Sequence, residues 1–245
     1  MKVYGIIGYP LTHSFSKKYF TEKFEQEEIS GCVYETFPLN AINEFNDLLS
    51  NTAGLQGLNV TIPYKKQVIP FLDDIKNIPV GIKACNCIRI NKGKTFGYNT
   101  DITGFERSLV PLLKKHHTQA LILGNGGAAE AIKYVLQKLN ISFGIVGRRI
   151  EDDCTLTYAD LNEEIIEGNP LIINTTPLGT FPDVNEWPDI PYQHLTSGHL
   201  LYDLIYNPVK TIFLQKAEEQ GAAIKNGYEM LEIQAEESWK IWNAG

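Results

Sequence analysis

The sequence predicts an α/β protein made of two α/β domains, and three observations carry that reading. Strand-like and helix-like stretches alternate almost from end to end; the alternation restarts near residue 102; and an apolar strand there runs into a glycine-rich turn and a helix. At 245 residues the chain exceeds a single domain of ~100–200 residues and has room for two modest ones. The expected boundaries are 1–101 for the first domain and 102–226 for the second, with a C-terminal helix in 227–245 completing the first.

Each element has its own signal. Val3–Ile7 is a short apolar strand, and Phe15–Glu28 carries Phe15, Tyr19, Phe20 and Phe24 at helical spacing. Val33–Pro38 alternates like a strand, and Ile42–Leu49 returns to helical spacing. Gly57–Ile62 is a strand stopped by Pro63, and Ala84–Ile90 is another. Thr103–Lys115 reads as a helix before the apolar strand Ala120–Leu123. A helix follows through Ala128, Ile132, Val135, Leu136 and Leu139, then strands at Ile141–Val146, Leu171–Asn174 and Leu200–Leu204. Pro182, Pro188 and Pro191 mark a surface loop over 182–192. Leu231, Ala235, Trp239 and Trp242 line one face of a last helix, Tyr228–Trp242.

Composition excludes several classes. Twenty-two basic against 29 acidic residues give a net charge of −7, which argues against nucleic-acid binding, since a phosphate backbone needs a basic face. No apolar run approaches the ~20 residues of a membrane span. Met1–Gly8 lacks the apolar core of a secretory signal, so a cytoplasmic protein is expected. Cys32, Cys85, Cys87 and Cys154 show no C-x-x-C spacing, so no metal site is expected. The acidic run Glu151-Asp152-Asp153 reads as a solvated loop.

The glycine turn is Gly124-Asn125-Gly126-Gly127-Ala128-Ala129, a G-x-G-x-x-A string between strand and helix. Gly124 allows the tight turn, and Gly126 lets the backbone approach a pyrophosphate. The helix start at Gly127 and Ala128 offers free N–H groups to that anion. The end of the next strand selects the dinucleotide. An acidic residue there would bind a ribose hydroxyl, but Gly147-Arg148-Arg149 stands instead. Two guanidiniums suit a 2′-phosphate, so NADP is the expected cofactor.

Three polar clusters end strands of the first domain, where open α/β sheets bind ligands. Ser14 and Ser16 are spaced to aim two hydroxyls at one anion, or to cap a helix. Asn59 and Thr61 share one side of a strand that ends before Lys65, and Asn99-Thr100-Asp101 closes another.

Taken together, these strings resemble the shikimate dehydrogenase family, from the first strand to the last helix. The matching strings are Gly8-x-Pro10 with His13-Ser14-x-Ser16, Asn59 to Lys65, Ala84-Cys85-Asn86, Asn99 to Phe105, and the glycine turn. Further matches are Asn174-x-Thr176-Pro177-Leu178-Gly179, Tyr202-Asp203-x-x-Tyr206-Asn207-Pro208, and Asn226-Gly227-x-x-Met230-Leu231 with Gln234-Ala235. The resemblance implies an N-terminal substrate-binding domain, a Rossmann-type dinucleotide-binding domain and a cleft between them. It implies that Ser14, Ser16 and Tyr206 hold a substrate carboxylate, while Asn59, Thr61, Asn86 and Gln234 address its hydroxyls. Lys65 and Asp101 would form the catalytic pair, and Leu204 with Gly227 would lie beside the nicotinamide. Gly124, Asn125, Gly126, Gly127 and Ala128 would cradle the pyrophosphate, with Arg148 and Arg149 on the 2′-phosphate.

The activity so implied is reversible reduction of 3-dehydroshikimate to shikimate with NADPH, by a monomer or homodimer. A quinate/shikimate dehydrogenase with broader cofactor use would carry the same motifs. A non-catalytic ligand sensor on this fold is a third reading, although sensing alone needs no proton donor such as Lys65. Departures from the family strings are Lys17 for a proline, Thr21 for an asparagine, Asn125 for an alanine, and Gly147 and Arg149 on either side of the matching Arg148.

Overall fold

The computed structural model describes residues 1–11, 15–150 and 153–244. The chain divides into two compact units, one of Met1–Thr100 with Ala235–Gly245 and one of Asp101–Gln234.

The first unit contains β1 (Lys2–Gly8), α1 (Phe15–Gln26), β2 (Cys32–Pro38), α2 (Phe45–Asn51), β3 (Leu55–Val60), α3 (Tyr64–Gln67), β4 (Asp74–Asn77), β5 (Cys87–Asn91) and β6 (Lys94–Tyr98). Its six strands form one sheet in the order β2-β1-β3-β5-β6-β4. β2, β1 and β3 are parallel, while β5 runs antiparallel to both β3 and β6. The β5–β6 hairpin adds an antiparallel element that the sequence reading did not contain. It turns on Lys92 and Gly93, with φ of 50° and 75°, the doubly positive geometry that suits the strand twist. Lysine in place of Asn or Asp at the first position removed the usual signal.

The second unit contains α4 (Asp101–Leu109), β7 (Gln119–Leu123), α5 (Gly127–Lys138), β8 (Ser142–Gly147), β9 (Leu156–Thr157), α6 (Glu163–Gly168), β10 (Leu171–Asn174), β11 (Leu200–Asp203), α7 (Ile212–Glu219) and β12 (Ala223–Lys225). α8 (Tyr228–Asn243) begins in this unit and ends in the first. All six strands are parallel, in the order β12-β11-β10-β7-β8-β9. That is the Rossmann order, in which the winding reverses between β7 and β10 and opens a crevice at their carboxyl ends. β10 is buried along its whole length, and so is β7 from Ala120 to Leu123, as expected for strands covered on both faces. α4 is shorter than its periodicity suggests: Pro111 cannot donate to the helix ladder, and the chain passes into a single 3₁₀ turn, Val110–Leu112. The proline-rich stretch is irregular up to a short turn at Tyr192–His194, yet Ile190 is buried and anchors it to the core.

An aromatic cluster holds α8 on the first sheet. Trp242 stacks on Tyr4 at 5.1 Å and lies 5.3 Å from Phe20, while Trp239 meets Tyr4 and Phe24 at 5.2 Å. The Trp242 indole N–H donates to the Ile88 carbonyl at 3.0 Å. This anchor is large and buried, so Trp242→Ala should cost about 3–5 kcal/mol. Urea denaturation measures it, and an unchanged midpoint would mean that α8 is held elsewhere.

Candidate active site

In the first unit, β1 and β3 are the neighbours from which the sheet winds in opposite directions, and the polar residues that follow them gather at one edge. Asn59, next to last in β3, is only 4% exposed. Its Oδ1 accepts from the Tyr34 hydroxyl at 2.8 Å, and its Nδ2 donates to Ser238 Oγ at 3.0 Å and to the Asn86 carbonyl at 3.3 Å. The Asn86 Oδ1 accepts from the Thr100 N–H at 2.6 Å, and its Nδ2 donates to Thr100 Oγ1 at 3.0 Å. Thr100 Oγ1 and Ser238 Oγ lie 3.2 Å apart. Ser16, buried in the first turn of α1, bonds to the Tyr34 side chain. Burial holds the Tyr34 phenol well above its ordinary pKa, so it stays a donor, although the Ser16 bond acts in the opposite sense.

The structure thus brings Ser16, Asn59 and Asn86 into one network, and three residues without a sequence-assigned role, Tyr34, Thr100 and Ser238, complete it. Thr61 follows β3, half-buried, with its N–H on the Ile7 carbonyl at 2.9 Å. Lys65 lies in α3, half-buried, and its carbonyl accepts from Cys85 N–H at 2.8 Å, which sets it beside Cys85-Asn86. Ser14 lies outside the described residues. Lys17 and Thr21, both departures from the family strings, serve the helix. Lys17 donates to the Tyr34 carbonyl and pairs with Glu35 at 2.8 Å, and Thr21 Oγ1 donates to the Lys17 carbonyl at 2.7 Å.

In the second unit Asp101 opens α4 and is 6% exposed. One turn on, a side chain at Gly104 would collide with the Met230 carbonyl and the Gln234 Cβ, so α4 touches α8 next to the buried Gln234. Tyr206 is half-buried, and that burial raises its phenol pKa. Gly227 is packed against the Leu204 carbonyl so closely that no Cβ fits, and its N–H donates to the Ile205 carbonyl at 3.0 Å. Beneath them is a brace the sequence reading did not assign. Burial pushes Asp203 up to about 6, against bonds from Thr211 Oγ1 at 2.6 Å, Ile205 N–H at 3.1 Å and Asn174 Nδ2 at 3.0 Å. The Asn174 Oδ1 in turn accepts from Thr176 N–H at 3.0 Å and Thr176 Oγ1 at 2.7 Å, which fixes the loop after β10.

Between the ends of β7 and β10 lies a cavity of about 470 Å³, lined among others by Gly126, Arg148, Arg149, Tyr158 and Thr176. Gly124 has φ +96° and donates its N–H to the Val146 carbonyl at 2.8 Å, the tight turn that glycine permits. At Gly126, the N-cap of α5, an added Cβ would meet nothing within 4 Å, and no side chain among the described residues caps the helix. Gly127 and Ala128 therefore present their N–H groups to the open side, the arrangement that receives a pyrophosphate. Arg148 and Arg149 are exposed at the rim, and no carboxylate among the described residues pairs with either. The Tyr158 hydroxyl is buried and finds no hydrogen-bond partner among the described residues, an orphan that a bound polar group would satisfy. These features fit a dinucleotide with a 2′-phosphate. No group of three or more His, Cys, Asp or Glu among the described residues could hold a metal ion.

A parallel sheet in Rossmann order, an open glycine turn and two guanidiniums define a dinucleotide-binding α/β protein with a separate polar site in its first unit. Residues 6–88 match the model of the shikimate dehydrogenase substrate binding domain. The shikimate dehydrogenase (NADP(+)) of Methanococcus maripaludis strain C7 is 36% identical over 261 residues, covering 98% of this chain and 91% of its own length. That of Nostoc sp. PCC 7120 is 36% identical over 262 residues, covering 98% and 90%. A crystal structure of shikimate dehydrogenase in complex with NADP+ has a TM-score of 0.86 at 30% identity, covering 99% of this chain and 90% of that one. The enzyme from Aquifex aeolicus has a TM-score of 0.84 at 30% identity, covering 99% and 92%. The chain belongs to the shikimate dehydrogenase family.

The network around Asn59 generates a stability prediction. Tyr34→Phe removes the donor to a buried carbonyl and should cost about 1–3 kcal/mol, the penalty of one unsatisfied buried acceptor. Thermal or urea unfolding measures it; a variant as stable as the parent would mean that Asn59 is satisfied without Tyr34.

Proposed function

We propose that this chain is an NADP-dependent oxidoreductase that reversibly reduces 3-dehydroshikimate to shikimate. The observation that carries the reading is similarity along nearly the whole chain to enzymes named for that activity, 36% identical over 98% of its residues. The substrate carboxylate is taken by Ser14, Ser16 and Tyr206, and its hydroxyls by Asn59, Thr61, Asn86 and Gln234. Bound NADPH would supply the hydride, while the protein orients the substrate and delivers a proton. Lys65 gives that proton to the carbonyl oxygen as negative charge develops on it, and Asp101 is the second member of the catalytic pair. Gly124 to Ala128 receive the pyrophosphate, Arg148 and Arg149 the 2′-phosphate, and Leu204 with Gly227 border the nicotinamide. The same proposal places the reaction in the cytoplasm, where the four unbridged cysteines would stay reduced. It assigns a monomer or homodimer with no nucleic-acid or membrane partner, in keeping with a net charge of −7.

Lys65→Ala should lower turnover ~10²-fold or more, the scale of a lost general acid, with a smaller change in shikimate binding. Lys66→Ala, one residue off the motif, should have little effect. Turnover within a few-fold of wild type in Lys65→Ala would remove the lysine from the mechanism, and assays with shikimate and quinate in parallel define the substrate.

The wild-type protein should prefer NADP over NAD, by a margin that shrinks as salt rises, because an exposed phosphate site is screened. Replacing Arg148 and Arg149 together with Ala should weaken NADP binding by roughly 10- to 100-fold, the range for lost bonds to a charged group, and leave NAD nearly unchanged. Equal use of both cofactors by the wild type at low salt would overturn the assignment.

A further inference from the structure

Tyr158 follows directly on β9, and β9 pairs with the last two residues of β8, Val146 beside Leu156 and Gly147 beside Thr157. Arg148 and Tyr158 therefore leave the sheet from neighbouring strands, each one residue beyond a paired position. The backbone on either side of Tyr158 is fixed. Thr155 N–H donates to the Ile145 carbonyl at 3.0 Å, and Thr155 Oγ1 accepts from the Ile145 N–H at 3.3 Å. Asp160 Oδ2 accepts from the Thr157 N–H and from Thr157 Oγ1, both at 2.7 Å, which closes the turn that carries the tyrosine.

The ring is anchored and the hydroxyl is not. The side chain packs against the buried apolar cluster of the second unit that holds Val146, Leu161 and Ile166. Its hydroxyl is buried and finds no partner among the described residues. Burial pushes the phenol up to about 12, against the nearby Arg148 charge, so it keeps its proton at neutral pH and can donate. Arg148 and Cys154, whose charges act on that phenol, both line the cavity with it, which sets the polar end of the ring on the cavity side. Native proteins keep few buried donors without a partner, and neither the glycine motif nor the arginine pair accounts for this one.

The company of Arg148 selects the acceptor. Both groups stand where the second strand ends, the place at which the adenine ribose arrives in this fold. A phosphate dianion offers acceptors only, so it suits a guanidinium and a phenol O–H together. An adenine edge mixes donors with acceptors and gains little from the neighbouring charge. Resting on the NADP reading above, we propose that Tyr158 is a cofactor-binding residue that separates the two dinucleotides, its hydroxyl donating to the 2′-phosphate beside Arg148. The arginines supply charge from an exposed rim, where salt screens it; the phenol supplies a directed bond from a fixed ring. The ligand-free protein bears an unmet donor that NADP+ satisfies, so stability without ligand and affinity for the phosphate are opposed at this residue.

The test compares wild type with Tyr158→Phe by calorimetric binding of NADP+, NAD+, adenosine 2′,5′-bisphosphate and adenosine 5′-monophosphate, with melting temperatures recorded with and without ligand. Tyr158→Phe should bind NADP+ and adenosine 2′,5′-bisphosphate roughly 10- to 100-fold more weakly, the range for a lost bond to a charged group. Its affinity for NAD+ and adenosine 5′-monophosphate should stay within about twofold of wild type. Without ligand the variant should melt at or above the wild-type temperature, because the orphan is gone, and NADP+ should raise that temperature by less. NADP+ affinity within about twofold of wild type in Tyr158→Phe overturns the proposal. Equal weakening of NADP+ and NAD+ also overturns it, by moving the hydroxyl from the phosphate to the adenosine. A ligand-free variant that melts well below wild type does the same, since the hydroxyl then bonds within the protein. A wild-type protein that shows no preference for NADP+ over NAD+ overturns the cofactor reading, and this proposal with it.

Discussion

A buried amide is tolerated only where its donors and acceptor are met, and Asn59 is the point at which that constraint closes the first unit. Its partners come from β2, from the strand-leading residue Asn86 and from α8, the last of them 179 positions away in the sequence. Apolar packing delivers that last partner. Trp239 and Trp242 seat α8 on Tyr4, Phe20 and Phe24, and the helix then presents Ser238 to Asn59 and Thr100. The aromatic contacts supply most of the stabilisation, being large and non-directional. The hydrogen bonds set the register, because a slip of one residue would strand two amides without partners.

The second unit solves a different problem by the same means. Its central strands β7, β10 and β11 are buried almost throughout, so the polar fixtures gather at their carboxyl ends and in the loops after them. Asp203 holds the loop after β11 and, through Asn174, the loop after β10. That arrangement keeps a carboxylate out of water, and its pKa rises to about 6 in consequence. Three donors compensate for the burial. The crevice wall is therefore stiff where strands end and open where the glycine turn stands.

Most of the architecture was legible because both periodicities are clean: the apolar run Ala120–Leu123 and the spaced Ile132, Val135 and Leu136 allow few other readings. The β5–β6 hairpin was not, since its turn is Lys-Gly, and the end of α4 was blurred by apolar residues on both sides of Pro111. At the site, strings with fixed spacing named Asn59, Asn86 and the glycine turn. Tyr34 and Ser238 stayed silent because each acts through a partner far along the chain, and no local spacing records that.

The two polar regions differ in what a ligand would find there. At the edge of the first unit, Ser16, Asn59 and Asn86 are engaged with Tyr34, Ser238 and Thr100. A ligand that used those groups would exchange one hydrogen bond for another, and such an exchange has a small net free energy. At the cavity of the second unit the balance is reversed. Among the described residues the Tyr158 hydroxyl has no partner and the N-terminus of α5 has no side-chain cap, and two guanidiniums are exposed. Binding there replaces hydration, not internal bonds, so shape and charge of the ligand translate more directly into affinity.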